Sequence, residues 1–281
     1  MTINEHPLWL QGEGFDMLGI VSLPAAGTPT QRTGVVIIVG GAQYRVGSHR
    51  QFVQLARFLS AAGFPVLRFD LPGMGDSPGE LPAFEDTTPH IAAAINGFQQ
   101  QYPGVERVVL WGLCDGASAS LLYVDATHAP RIAGLALLNP WVRSEVSLAR
   151  ARVKHYYRQR LLEAEFWRKL FKGRVGLNAL KDFGGSVRRM SGAAPAKQSF
   201  QDRMAQAWRS FDRPILLLLS ERDLTAQEFV EHANLSATWA GWNTPARVAQ
   251  HTLQQADHTC SARVSAHQCE ELTRRWLQLL T

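Results

Sequence analysis

The sequence predicts an α/β fold with a doubly wound, mostly parallel sheet, and two features of its pattern carry that prediction. Short apolar runs alternate with amphipathic segments over residues 34–138, as parallel strands do when helical crossovers join them. Runs such as 34–39 and 132–138 are apolar throughout, which is typical of strands covered on both faces. With 281 residues the chain has room for one large domain with an insertion, or for two small domains.

Each predicted element has a local reason. Residues 7–11 and 17–23 are rich enough in strand-forming residues to pair, with Gly12 and Gly14 in the turn between them. The helix predicted over 49–62 has one apolar face and ends before a glycine. The other predicted strands lie at 64–70, 107–111, 214–219 and 247–253, and the other helices lie at 87–101, from the corner after 111 to about 126, and at 265–280.

The alternation stops over residues 141–209, where the sequence contains no convincing strand. Apolar residues recur there at helical spacing among sixteen Lys and Arg and five Asp and Glu. We predict a basic helical cap at 141–209, inserted into a core formed by 1–140 and 210–281. The cations fit either the solvated faces of amphipathic helices or a docking surface for an acidic partner, such as an acyl carrier protein, coenzyme A (CoA) or an anionic glycan. No recognised nucleic-acid motif accompanies the charge, so we expect no nucleic acid partner.

Composition narrows the class of protein further. Three cysteines, Cys114, Cys260 and Cys269, are an odd number at spacings that fit neither a disulfide framework nor a zinc site. The sequence contains no phosphate-binding loop, dinucleotide fingerprint or metal-binding helix motif, so we expect neither a cofactor nor a metal. No apolar run is long enough to span a bilayer, and the N-terminus lacks the features of a signal peptide. We therefore expect a cytoplasmic enzyme without an integral membrane segment.

A sharp corner follows the strand predicted at 107–111. Gly112, Cys114 and Gly116 form a Gly-x-Cys-x-Gly motif there. The spacing is typical of a nucleophile elbow, in which two glycines let a strand and a helix approach closely around a strained nucleophile. The first amides of the following helix would favour a thiolate and later an oxyanion. The alternative is that Cys114 is a small buried residue at the end of a strand.

Two further candidates follow strands later in the chain. Asp223 comes just after the strand predicted next to last, and His258 comes just after the last one. The order nucleophile, acid, histidine, at the carboxyl ends of strands, is that of an α/β-hydrolase fold. His258 would take the proton of Cys114, and Asp223 would orient the imidazole and stabilise its charge. Glu221 and Asp257 compete with Asp223 for this role, and a lone histidine is more often a packed or surface residue.

An acyl-transfer site also needs two donors for the developing oxyanion. The amide of Asp115, the residue after the nucleophile, is one candidate. The loop after the strand at 34–39 supplies the other, with Ala42 preferred and Gly41 beside it.

The same loop continues into residues that could line the substrate entrance. Tyr44 and Arg45 are the candidates, with Arg45 as a contact for an anion. Solvating the start of the next helix is an equally suitable role for them. Asp70 and Asp76, in a turn rich in Pro and Gly, are predicted to be structural and to bond backbone amides.

Six short stretches of the chain match a known family in sequence. They are VGGAQYRVGSHRQF (39–52), LRFDLPGMGDS (67–77), LWGLCD (110–115), LLNPWVR (137–143), KHYY (154–157) and DHT (257–259). These stretches resemble the exosortase A system-associated hydrolases of type 1, and the first and fifth are the most specific. The resemblance covers most of the chain and implies the α/β-hydrolase fold, a cysteine nucleophile and a link to exopolysaccharide and protein-sorting genes of Gram-negative bacteria. It implies no defined substrate.

The residues and the resemblance together predict an enzyme that cleaves an ester or thioester of a small acyl substrate. The Cys114, His258 and Asp223 triad would act through an acyl-cysteine intermediate. Because a thioester intermediate exchanges readily with thiols and amines, acyl transfer between thiol carriers is the first alternative. The second alternative is a non-catalytic binding or scaffold protein of the polysaccharide machinery, with an inert Cys114.

Overall fold

The computed structural model describes residues 4–41, 43–128, 130–143, 198–244 and 246–280 of the chain. The chain divides into two compact units, residues 1–142 with 200–281 and residues 143–199. Most of the second unit, and with it most of the predicted cap at 141–209, lies outside the described residues. All strands and helices of the described residues belong to the first unit.

Eight strands and six α-helices make up the described part of this unit. The strands are β1 (Glu5–Gly12), β2 (Phe15–Ser22), β3 (Thr33–Ile38), β4 (Val66–Phe69), β5 (Arg107–Leu113), β6 (Ile132–Leu138), β7 (Ile215–Ser220) and β8 (Val248–Leu253). The helices are α1 (Gln51–Ala61), α2 (Thr88–Gln101), α3 (Asp115–Thr127), α4 (Phe200–Ser210), α5 (Leu224–Leu235) and α6 (Arg263–Gln278). Every strand predicted from the sequence is present, with bounds that differ by about two residues at most.

The strands form one sheet in the order β1-β2-β4-β3-β5-β6-β7-β8. β2 pairs antiparallel with β1 and β4, whereas the pairs from β4 to β8 are parallel. The predicted doubly wound and mostly parallel sheet is therefore confirmed. Parallel pairing brings the carboxyl ends of β3, β5, β6, β7 and β8 to one edge, which is where open sheets of this kind place their sites.

Side chains of the central strands alternate between two cores, one on each face of the sheet. Val109 and Trp111 of β5 face the core that α1 and α6 cover, whereas Val108 and Leu110 face the core covered by α2 to α5. This two-sided burial explains why the central strands are mostly apolar on both faces. Helix α1 buries the face that the sequence predicts, namely Phe52, Leu55, Ala56 and Leu59.

Two helices differ from the sequence analysis. α5 is not predicted, because Phe229 is its single large residue among those buried, which gives a weak apolar pattern. α4 falls within the predicted cap, yet it buries Met204 and Trp208 in the core and belongs to the first unit. The Trp208 indole also donates to the carbonyl oxygen of Trp242 at 2.9 Å, which anchors α4 there. No helix of the described residues is long and apolar enough to cross a membrane.

Candidate active site

Cys114 lies at a tight corner between β5 and α3. Its backbone has φ 60° and ψ −125°, which is a strained conformation for a residue with a side chain. A Cβ on Gly112 would come within 2.5 Å of the Gly116 backbone, and a Cβ on Gly116 within 2.4 Å of the carbonyl oxygen of Ile38. Both glycines are therefore required by close approach of backbone to backbone, as the motif predicts. Cys114 itself remains partly exposed at this corner.

The loop after β3 passes directly beside the corner. A Cβ on Gly40 would lie 2.4 Å from the carbonyl oxygen of Leu113, as well as 2.1 Å from Oδ1 of Asp115, so this position also requires a glycine. The pKa of Asp115 is raised, because the effect of burial exceeds the opposing effect of the nearby amides of Gly41, Gly116 and Asp115 itself. Two of the predicted oxyanion donors, the amides of Asp115 and Gly41, thus lie close to the same carboxylate. The third, Ala42, lies outside the described residues.

Asp223 follows β7 and caps the N-terminus of α5. Its Oδ1 accepts a hydrogen bond from the amide of Thr225 at 3.1 Å, and its Oδ2 accepts one from the amide of Ala226 at 3.3 Å. Oδ2 also lies 2.8 Å from Nδ1 of His258. Only 7% of the Asp223 side chain is exposed, so these partners compensate a charge that has little access to water.

Glu221 and Asp257, the other two candidate acids, accept hydrogen bonds from backbone amides of turns. Glu221 accepts a hydrogen bond from the amide of Gln255 at 2.6 Å. Asp257 accepts hydrogen bonds from the amides of Thr259 at 3.2 Å and Ser261 at 2.8 Å. Of the three candidate acids in the sequence, Asp223 is the one that the structure places against the imidazole of His258.

His258 joins the acid to the candidate nucleophile. Its Nδ1 hydrogen-bonds Oδ2 of Asp223, and Cys114 lies close to the ring; these two neighbours raise the pKa of His258 to about 10 against the opposing effect of burial. The imidazolium is therefore the form present at neutral pH, with Nδ1–H donating to Asp223. The side chain is 35% exposed, so a substrate can reach the ring.

The two predicted entrance residues differ in their surroundings. Tyr44 is 45% exposed, whereas Arg45 forms ion pairs with Asp70 and Asp76. Asp70 is fully buried and accepts hydrogen bonds from the amides of Arg45 at 2.6 Å and Asp76 at 3.1 Å. The predicted bonding of backbone amides by Asp70 is thus confirmed. The charge of Arg45 is already compensated, and its contacts join the loop after β3 to the loop after β4.

Asn139, directly after β6, is a site residue whose role the sequence analysis misses. Its side chain donates to the carbonyl oxygen of His258 at 3.2 Å and accepts from the amide of Ser220 at 2.8 Å. The residue is fully buried. An asparagine between a wholly apolar strand and Pro140 is the pattern that points to it, since a buried amide needs partners.

A separate groove of about 1100 Å³ runs between α1 and α6. It begins beside His49 and Cys260 and continues along the helices past Phe58 and His267. Its lining, within the part of the chain that the structure describes, includes none of the three triad candidates. Across the same described ranges, no three His, Cys, Asp or Glu side chains are grouped so that they could hold a metal ion.

Comparison with protein families and known sequences gives two findings. Residues 35–272 match the model of the alpha/beta hydrolase family. A stretch of 78 residues is 37% identical to the human protein ABHD12B, and this match covers 28% of the present chain and 20% of that protein. The family match therefore spans most of the sheet and the whole candidate site, whereas the human relative matches a small part of its own length.

Solved structures with the same arrangement include three from microorganisms. The Pyrococcus furiosus esterase Pf2001 is 17% identical, with a TM-score of 0.64 over 99% of this chain and 93% of that chain. An alpha-beta serine hydrolase homologue from Coxiella burnetii is 14% identical, with a TM-score of 0.62 over 99% of both chains. Est1E from Butyrivibrio proteoclasticus, solved with ferulic acid bound, is 13% identical, with a TM-score of 0.61 over 96% of this chain and 98% of that chain. At these identities the likeness concerns the fold.

Proposed function

We propose that this chain, which belongs to the alpha/beta hydrolase family, is a cysteine-dependent hydrolase that cleaves an ester or thioester. The observation that supports the proposal most is the position of His258, whose ring contacts both Asp223 and Cys114. The strained conformation of Cys114 at the end of β5 supports it as well. A link to exopolysaccharide and exosortase systems, which the sequence resemblance implies, is part of the same proposal, and so is the cytoplasmic location expected from the sequence.

In the first half of the reaction, the sulfur of Cys114 attacks the acyl carbon of the substrate. A carbon–sulfur bond forms, and the carbonyl electron pair moves to oxygen, giving a tetrahedral oxyanion. The amides of Asp115 and of Gly41 or Ala42 hold that oxyanion. The His258 imidazolium then gives its proton to the leaving alcohol or thiol as the bond between that group and the acyl carbon breaks. The product is a thioester on Cys114 and a neutral imidazole.

In the second half, the neutral His258 takes a proton from water, whose oxygen attacks the thioester carbon. The same amides hold the second oxyanion. Its collapse expels the Cys114 thiolate and releases the carboxylic acid, while the imidazolium remains paired with the thiolate and with Asp223. Asp223 keeps the ring in one orientation through both halves because its own position is fixed by the N-terminus of α5.

The substrate entrance is proposed to include the loop after β3. Tyr44 is exposed there and offers a ring and a hydroxyl to an incoming group. The sequence suggests Arg45 as a contact for an anion, but in the structure this side chain pairs with the carboxylates of Asp70 and Asp76. Its proposed contribution is therefore to hold this loop in place, and with it the amide of Gly41.

Acyl transfer is a second candidate function, and the charge of residues 141–209 favours it. That segment contains sixteen Lys and Arg against five Asp and Glu. A basic surface suits an acyl carrier protein, CoA or an anionic glycan. In this variant of the reaction a thiol replaces water in the second half, and the acyl group leaves on that thiol. Release of free acid when water is the only acceptor, with no faster turnover on adding CoA or acyl carrier protein at low salt, would count against transfer.

The experiment that tests the proposed function is intact-mass spectrometry after brief exposure to activated esters and thioesters of different chain length. We expect one acyl adduct on the wild type, none on Cys114→Ala and slower formation on His258→Ala. Cys269→Ala is the matched control, because it removes a buried thiol outside the triad and should form the adduct as the wild type does. If no donor gives an adduct or turnover, a non-catalytic binding protein becomes the better description.

A further inference from the structure

A buried asparagine lies between the corner at Cys114 and the loop that carries His258 (residues 254–262, the histidine loop). We propose that Asn139 is a positioning residue for the reaction, whose side chain fixes the main chain at His258 relative to Cys114. This inference rests on the proposed function, since it concerns the base of the same triad. Three hydrogen bonds and the backbone on either side of Asn139 support it.

The Asn139 amide group is fully used within the site. Its Nδ2 donates to the carbonyl oxygen of His258 at 3.2 Å and to Oγ of Ser220 at 3.0 Å. Its Oδ1 accepts from the amide of Ser220 at 2.8 Å. The residue is completely buried, so no water is available to replace these partners if the amide is removed. One side chain thus ties the end of β6 to the end of β7 and to the histidine loop.

The backbone of Asn139 shows that the side chain, and not only the turn, is needed. Its φ is 49°, in the left-handed region where glycine is most easily accommodated and asparagine is tolerated. A turn that needed only this conformation would be served with less strain by glycine. The presence of asparagine at a strained, buried position is explained by the three hydrogen bonds that a glycine could not make.

The same segment also holds the nucleophile. The amide of Cys114 donates to the carbonyl oxygen of Leu138 at 2.9 Å, and the amide of Trp141 donates to the carbonyl oxygen of Cys114 at 3.2 Å. Ser118 secures the arrangement by donating its hydroxyl to the carbonyl oxygen of Trp141 at 2.6 Å. Residues 138–141 therefore contact the backbone of Cys114 from one side and the backbone of His258 from the other.

Ser220, the second partner of the Asn139 amide, lies beside the residues that follow His258. Its hydroxyl accepts from Asn139, and its side chain interacts with the thiol of Cys260, which lies two residues beyond His258 and is buried. The direct hold on the histidine loop is thus the hydrogen bond from Asn139 to the carbonyl oxygen of His258.

The test variant is Asn139→Gly, which accepts the left-handed conformation and removes only the side chain. Because misplacing a catalytic group by about 1 Å can cost about 100-fold in rate, we expect acylation of Cys114 to slow by about tenfold to 100-fold. Binding of the acyl donor should change little, so the loss should fall on the rate constant and not on the half-saturating concentration. The pKa of His258, followed by NMR of its ring proton, should fall from about 10 as the ring loses contact with Asp223 and Cys114.

Two further variants keep the test decisive. Ser220→Ala keeps the backbone amide that donates to Oδ1 of Asn139, but it removes the hydroxyl that is one of the two acceptors of the Asn139 Nδ2 group. It should therefore lower the acylation rate and the pKa of His258 less than Asn139→Gly does. If Asn139→Gly does not fold, Ser220→Ala takes its place in the test. Thr273→Val is the control for stability alone, because Thr273 is a fully buried residue on α6 whose hydroxyl bonds Trp111 and Cys269. It should destabilise the protein and leave the pKa of His258 unchanged.

The outcomes separate the inference from the proposed function. If the wild type acquires an acyl group on Cys114 and Asn139→Gly does so at the same rate with an unchanged pKa of His258, the positioning role is wrong. If the wild type acquires no acyl group, the proposed function fails, and the NMR titration still decides whether Asn139 positions the ring. A slower rate with an unchanged pKa and the same loss in Thr273→Val would also overturn the inference, since stability alone would then account for the effect.

Discussion

The two sides of the candidate site are held in place by different means. On the nucleophile side, Gly40, Gly112 and Gly116 bring backbone segments so close that a Cβ would lie 2.4 to 2.5 Å from a neighbouring backbone atom. On the acid and base side, the contacts belong to side chains: Asp223 caps α5 and binds the histidine, and Asn139 binds both β7 and the histidine loop. The corner is fixed by steric exclusion, and the acid and base by hydrogen bonds.

This difference implies two kinds of response to mutation. A clash with backbone has no gradual relief, because the neighbouring atoms belong to the backbone of β3, β5 and α3, which are packed in the core. Loss of one side-chain hydrogen bond creates no steric conflict and leaves the other bonds around the acid and base in place, and water can replace it in part at His258, which is partly exposed. We therefore expect substitutions at the corner to act in an all-or-none manner and substitutions around the acid and base to act by degrees.

The largest effect is expected for Gly112→Ala. The new methyl group would overlap the Gly116 backbone, so the corner would have to open, at a cost of about 3 kcal/mol in the free energy of unfolding. Acylation of Cys114 should be lost. Gly104→Ala is the matched control, because a Cβ there meets no atom within 4 Å, and it should stay within about 0.5 kcal/mol of the wild type. Denaturant unfolding and intact-mass spectrometry measure both. Equal stability of the two variants would contradict the steric account.

The next effect is expected for Asp223→Asn. Asparagine still caps a helix, so α5 should remain, while the imidazolium loses its main partner. Acylation should slow by about 100-fold to 10,000-fold, as for loss of the acid in other triads. The pKa of His258 should fall from about 10, because the hydrogen bond to Asp223 makes the largest contribution to its rise, although the neighbouring Cys114 still favours the imidazolium. Single-turnover acylation and NMR titration of the ring provide the two measurements.

The same substitution predicts a pH dependence of stability. Because the folded-state pKa of His258 is raised from 6.5 to about 10, the stabilisation from its pairing is fully present below pH 6.5 and is lost as the pH rises through about 10. The difference in free energy of unfolding between wild type and Asp223→Asn should therefore be constant below pH 6.5 and shrink towards pH 10. Glu221→Gln, which changes an acid outside the histidine contact, should show no such trend. A difference that grows with pH would reverse the sign of the argument.

These two sides also differ in how well the sequence predicts them. The sheet, the corner and the order of Cys114, Asp223 and His258 follow from patterns that sequence displays directly: continuous apolar runs, glycines at fixed spacing and polar residues at strand ends. A close approach of two backbone segments can be predicted from sequence because it requires glycine, and few other residues can take its place. The strand bounds are therefore predicted closely, and so is the close backbone approach at Gly112 and Gly116.

Hydrogen-bond partners are harder to predict from the sequence, because they depend on which strand ends become neighbours in the sheet. Asn139 and Ser220 are 81 residues apart, and their contact exists because β6 lies beside β7. Arg45 shows the converse case, since its charge suggests a ligand contact until the fold brings Asp70 and Asp76 to it. α5 is missed for a related reason: its start is set by the Asp223 cap, and its apolar face is too sparse to be recognised alone.

A smaller effect, on stability more than on rate, is expected for Arg45→Met. The substitution leaves the carboxylate of Asp70 fully buried without its cation, which should cost about 3 kcal/mol in the free energy of unfolding. Arg32→Met is the control, because Arg32 pairs with Glu106 at an exposed position and should change stability by less than about 1 kcal/mol. Acylation at a temperature where both variants are folded should slow only a few-fold. A large loss of rate with full stability would indicate direct contact between Arg45 and the substrate.

The smallest effect is expected for Cys260→Ala. This variant shows whether Cys260, two residues beyond His258, reacts as Cys114 does. A hydrogen bond from Cys269 lowers the pKa of Cys260, yet only 4% of Cys260 is exposed, so a reagent cannot reach it in the folded protein. The substitution should cost about 1 kcal/mol in stability and leave acylation within about threefold of the wild type. Brief treatment with iodoacetamide, followed by peptide mapping, should place the label on Cys114 in both proteins. In the wild type, label on Cys260 at a rate comparable to that on Cys114 would show that the histidine loop opens readily, and the hydrogen bond from Asn139 to the carbonyl oxygen of His258 would then be too weak to fix the base.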